Sequence, residues 1–90
     1  MPRFMVERHL PGITPEDLQA AGVRAKTCCE EMESEGTDVQ WVRSFFLPEE
    51  EKTFCVFDGP DRSTIAEANR RAQIPFEAIR PAQEMTPDAL

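Results

Sequence analysis

The chain opens on an alternation of apolar and polar residues. Across residues 3 to 10, Phe4, Val6 and Leu10 share one side and Met5, Glu7 and His9 the other. That is the period of a half-buried strand. Pro11-Gly12 breaks it, and Thr14-Pro15-Glu16-Asp17 opens a helix. Thr14 can cap a free N–H, Pro15 suits the first helical turn, and Asp17 stands where a capping box puts its acid. Leu18, Ala21, Ala25, Cys28 and Met32 then recur at steps of three or four and make one apolar stripe, with Gly36 as the stop. Two alanines in that stripe predict a helix that sits close to whatever it covers. DVQWVRSFFL, 38 to 47, is rich in aromatic and β-branched residues and predicts a second strand. Pro48 and the acids Glu49 to Glu51 form a hairpin loop, KTFCVF a third strand, and Asp58-Gly59-Pro60 its end. A second helix begins near Asp61 to Ser63, runs to about Ala72 with Ile65, Ala68 and Ala72 inward, and stops before Pro75. Phe76 to Arg80 completes the pattern as a short strand.

The order β-α-β-β-α-β defines an α+β, ferredoxin-like fold. Right-handed crossovers put both helices on one face of a four-stranded antiparallel sheet and leave the other face bare. One domain over 1–80 and a loosely ordered tail over 81–90 follow.

Which side chains lie on the bare face is argued from Phe4, Val6 and Arg43. Helices need an apolar floor, so Phe4 and Val6 point at them and Met5, Glu7 and His9 point away. A guanidinium beneath a helix needs a partner, so Arg43 belongs on the bare face. Period two then takes Trp41 and Phe45 with it and turns Val42 and Phe46 inward. The third strand is ambiguous: either Cys55 and Phe57 or Phe54 and Val56 face the helices. Exposed Trp41 and Phe45 would make an apolar patch of the kind monomers seldom carry. A homodimer packed sheet to sheet would hide it and enclose the charged residues in a pocket.

The charge balance narrows the partners. Seventeen acids against ten bases give −7, with no basic cluster. Nucleic acid and anionic membrane surfaces both call for clustered Lys and Arg. No run is long and apolar enough for a signal peptide or a membrane span. Three cysteines, two of them adjacent at Cys28 and Cys29, do not form a disulfide framework, so a reduced, cytoplasmic protein is expected.

Candidate chemistry gathers on the bare face. His9, the single histidine, is a ligand type for divalent nickel, copper or zinc, and Glu7 stands two residues before it on the same side. The pair could hold a metal or act as base and orienting group; the plainer reading is a surface imidazole and a carboxylate salt-bridged to Arg43 or Arg8. Arg43, between Trp41 and Phe45, could clamp a carboxylate ligand bidentately, with Trp41 lining the pocket and Glu7 as a further polar contact. Its plainer reading is an ion pair with Glu7. Cys28 and Cys29 lack the spacing of a redox or zinc motif, and Cys55 reads as a small buried hydrophobe. Glu30 to Glu35 opposes the dipole at the first helix's C-terminus, and Arg70 and Arg71 favour that of the second.

The segments FMVERHLPGITPEDL, VRSFFLPEEEKTFCVFDGP and AEANRRAQIPFEAI resemble a family of small, mostly bacterial domains of unknown function. Some of its members are nickel-binding proteins with a ferredoxin-like fold. The resemblance spans roughly residues 2 to 80 and implies that fold and a divalent metal such as nickel. Nickel-binding members carry histidines in and after the second helix, where this chain has Asn69 and Ile74. Three functions are therefore expected: first a binding module holding a metal or small ligand on the sheet face of a homodimer. The alternatives are a cofactor-free enzyme of the dimeric α+β barrel type, with His9 as base and Arg43 steadying an oxyanion, and a pure interaction domain anchored on Trp41 and Phe45.

Overall fold

A computed structural model of the protein describes residues 1–90. It contains β1 (Arg3–His9), α1 (Pro15–Ser34), β2 (Gln40–Leu47), β3 (Lys52–Asp58), α2 (Arg62–Arg71) and β4 (Ala78–Pro81), followed by a 3-10 turn over Pro87–Ala89. The strands form one antiparallel sheet in the order β2-β3-β1-β4. This is the expected ferredoxin-like arrangement.

Local chemistry fixes the helix ends. The Thr14 hydroxyl accepts a hydrogen bond from the Asp17 N–H at 3.1 Å. At the other end Gly36 takes φ +96, while the Thr37 and Gly36 N–H groups donate to the carbonyls of Met32 and Glu33. This six-to-one and five-to-two pairing is a Schellman stop. Asp61 caps α2 by accepting from the Thr64 N–H at 2.8 Å, and Arg24 Nε closes its far end by donating to the Ala72 carbonyl at 2.8 Å. Two of the acids that end α1 are not merely solvated: Arg71 of α2 pairs with Glu31 and Glu35 at 3.0 and 2.9 Å, and with Glu67 of its own helix at 3.1 Å. Its donation to Glu35 holds that carboxyl below its ordinary range.

The core lies between the sheet and the helices. Phe4, Val6, Cys55, Phe57 and Ile79 supply the floor, and Cys29, Met32, Ile65 and Ala68 the roof. The third-strand ambiguity is thereby settled, with Cys55 and Phe57 inward. On α1 the buried cysteine is Cys29 and not Cys28, because the buried series runs Ala21, Ala25, Cys29, Met32. Burial pushes the Cys29 thiol up to about 11. Ala21 and Ala25 do not seat α1 tightly on the whole sheet. They pack with Ala72 and Ile74 at the end of α2, and a gap remains between α1 and the edge strand β2.

Candidate functional site

On the bare face, strand register sets the residues in rows. One row is Phe45, Phe54, Glu7 and Ala78; the next is Arg43, Val56, Met5 and Arg80; Leu47, Lys52 and His9 end the sheet. Phe45 is 57% exposed. Glu7 is held from two sides, by Arg80 Nη1 at 2.7 Å and Lys52 Nζ at 2.9 Å. Those two donors, Arg80 first, keep its carboxyl below its ordinary range, and Glu7 in turn raises the Lys52 ammonium. Arg43 pairs with neither Glu7 nor a free site: its Nη1 donates to Glu84 at 2.6 Å. The other Glu84 oxygen accepts from Arg3 at 2.7 Å, and Arg3 also grips Asp58 through Nε and Nη2 at 2.7 and 2.9 Å. That grip holds the Asp58 carboxyl below its ordinary range. Arg3 and Arg43 flank β3, so the Glu84 carboxylate spans that strand on the bare face.

His9 lies at the exposed end of β1, and its ring has no hydrogen-bond partner. It shares the bare face with Arg43. Four residues along the strands and two strands across separate them, roughly 16 Å at about 3.3 Å per residue and 4.8 Å per strand. The two groups do not converge on one point. No three His, Cys, Asp or Glu side chains gather closely enough to hold a metal ion.

Trp41 is not on the bare face. A register shift between Trp41 and Arg43 inserts one extra residue, Val42, into β2. Such a bulge reverses which side the preceding residues face. Trp41 therefore pairs with inward Phe57, while Arg43 and Phe45 keep the outward orientation that the sequence predicts. The indole donates to Ser44 Oγ at 2.8 Å, and its ring lies 3.3 Å from where a Gly22 side chain would begin.

With Trp41 inside, a concavity opens beneath α1. It is a cavity of about 490 Å³ along the β2 edge, walled by Trp41, Phe46, Phe57, Leu18, Gly22 and Ala25. Cavities of about 300–1,000 Å³ with mostly apolar walls are typical of small-molecule sites. Arg8 and Thr53 stand in the same lining. The sequence offers Arg8 as a salt-bridge partner for Glu7, but Glu7 pairs with Arg80 and Lys52, and the alternation that turns Phe4 and Val6 inward turns Arg8 inward too. Arg8 is 3% exposed; its Nη2 donates to Asn69 Oδ1 at 2.8 Å and its Nη1 to the Pro75 carbonyl at 3.1 Å.

Comparison with known proteins supports this architecture independently. Residues 4–81 match the model of the family described as nickel responsive protein SCO4226-like. The chain belongs to that family. Its fold is similar to that of SCO4226 from Streptomyces coelicolor A3(2), known from a crystal structure, with a TM-score of 0.73 and 19% identity over 93% of this chain and 99% of that one. No curated protein matches. The family description names nickel responsiveness, but the donors in this chain do not fit a nickel site. Glu7 is engaged by two cations, His9 stands at the sheet's end, and no cysteine joins a group of three possible ligands.

Proposed function

We propose that this protein is a small binding module that receives its ligand in the cavity between α1 and the sheet, and that two copies associate through the bare sheet face. The cavity carries the reading: its walls are apolar, it has the volume of a small-molecule site, and it contains the chain's only tryptophan. Exposed Phe45, beside Phe54 and Leu47, supports association of the lower half of the bare face, since the tail carboxylate occupies the upper half. Three unpaired cysteines and the absence of any helix long and apolar enough to cross a membrane fit a cytoplasmic setting. Titration with decan-1-ol, followed by Trp41 emission, tests the binding reading. A saturable shift is expected, and Gly22→Leu, which fills the space beside the indole, should abolish it. Emission unchanged by decan-1-ol and by its carboxylate counterpart, decanoate, would contradict it.

Nickel is the second reading, favoured by the family description. One chain does not supply the donors, so a nickel response here requires His9 from two copies to meet at the dimer. Calorimetric titration with Ni²⁺ decides this. Heat that disappears in His9→Ala supports it, and no heat removes it.

A further inference from the structure

The inference concerns the chemical class of the ligand and rests on the cavity reading above. In a chain with seven more acids than bases, the residues lining this cavity include two cations, Arg8 and Lys26, and no Asp or Glu at all. Arg8 is the more telling of the two. It is almost fully buried, and no salt bridge in the molecule includes it. Its two acceptors, an amide oxygen and a backbone carbonyl, satisfy hydrogen atoms without neutralising the charge. A buried cation without a counter-ion is costly, and a guanidinium has five N–H donors, more than those two acceptors need. Thr53 sits directly across from Arg8 in the β1–β3 register, is 2% exposed, and accepts only a weak 3.8 Å contact from Cys55 Sγ. Its hydroxyl proton is therefore available on the same floor. One end of the cavity thus presents hydrogen-bond donors and positive charge, and the rest is aromatic and aliphatic.

We infer that the cavity binds an amphipathic organic anion, a carboxylate on an apolar body, with the carboxylate at Arg8 and Thr53 and the body against Trp41 and Phe46. Arginine suits this task because its planar fork matches a carboxylate's two oxygens. The missing counter-ion is supplied by the ligand.

The test compares decanoate with decan-1-ol, which share a chain length and differ in the head group, on the full-length protein at pH 7 by Trp41 emission. Decanoate should bind at least about tenfold more tightly, a difference of about 1.4 kcal/mol. In Arg8→Gln that advantage should vanish, leaving the variant with equal affinity for the two compounds. If Arg8→Gln does not fold, the ¹⁵N shifts of the Arg8 guanidinium in the unaltered protein decide: decanoate should move them and decan-1-ol should not. Equal affinity for the two compounds, or a decanoate preference that survives Arg8→Gln, overturns the anion inference and leaves the binding module standing. Failure of both compounds to bind overturns both.

Discussion

Asn69 offers the sharpest test of how Arg8 is held. It is 1% exposed; its Oδ1 accepts from the Arg8 guanidinium at 2.8 Å and its Nδ2 donates to the Ile65 carbonyl at 2.8 Å. Asn69→Leu keeps the forked outline of the side chain but removes one of the two acceptors that Arg8 uses. A hydrogen bond to a charged group contributes about 1.5–3 kcal/mol, and the second, neutral bond adds less than about 1.5. Leucine's apolar burial returns part of this, so a net loss of about 2–3 kcal/mol is expected. For a domain of this size each kcal/mol shifts Tm by about 4–8 °C, which predicts a drop of roughly 10–20 °C. Urea unfolding of the single variants and the double variant closes a cycle with Arg8→Met. The double variant should be more stable than the summed losses imply, by about 1.5–3 kcal/mol, because removing both partners leaves no buried charge stranded. Additive losses, or an Asn69→Leu cost below about 0.5 kcal/mol, would refute the claim that Arg8 depends on this contact.

Gly22→Ala should stabilise the protein by about 0.5–1 kcal/mol: the helix interior gains an alanine, and the Trp41 ring, 3.3 Å from the new Cβ, borders a cavity into which it can shift. A lower Tm would mean that the ring is fixed. Cys29, its thiol pushed up to about 11, holds about 100-fold less thiolate at pH 8 than a thiol at the ordinary 9.0. Iodoacetamide followed by mass spectrometry should therefore mark half-buried Cys28 well before Cys29, and equal labelling contradicts this. Glu7, Asp58 and Asp61 are all held below their ordinary values, by Arg80, Arg3 and the Thr64 hydroxyl respectively. The unfolded chain therefore takes up protons first as pH falls. Stability should be constant between about pH 6 and pH 8 and decline progressively below the ordinary carboxylate values of 4.5 and 3.8. Glu7→Gln should lose less stability between pH 7 and pH 3, measured by urea midpoints; an unchanged slope argues against its pairing with Arg80 and Lys52.

Element order, helix caps and breakers were legible in the sequence because each is written in local residues: Thr14, Pro15, Gly36, Asp61. Orientation on β1 was equally plain, since no irregularity interrupts its alternation. The second strand defeated the same reasoning at one point. Nothing in QWVRSF announces that Val42 is an added residue, and the bulge moves Trp41 to the opposite side from Arg43. Arg8, expected as a salt-bridge partner of Glu7, is instead turned inward by the same alternation. The principle that a guanidinium beneath a helix needs a partner was applied to Arg43, whereas it is Arg8 that lies there, supported by an amide 61 residues away. The Arg3–Glu84–Arg43 bridge depends on contacts across 81 and 41 residues and has no local signature. The cavity lies where the small residues Ala21, Gly22 and Ala25 of α1 face β2, and Ala21 and Ala25 pack with Ala72 and Ile74. Alanine spacing does not reveal which neighbour the small face approaches.

The most direct measurement is a crystal structure of the protein grown with decanoate. The account predicts density for the acyl chain between α1 and β2, against Trp41, with the carboxylate within hydrogen-bond distance of Arg8. Decanoate lying on the bare face beside Glu7 and Phe45, or a cavity closed by α1 settling onto β2, would contradict it.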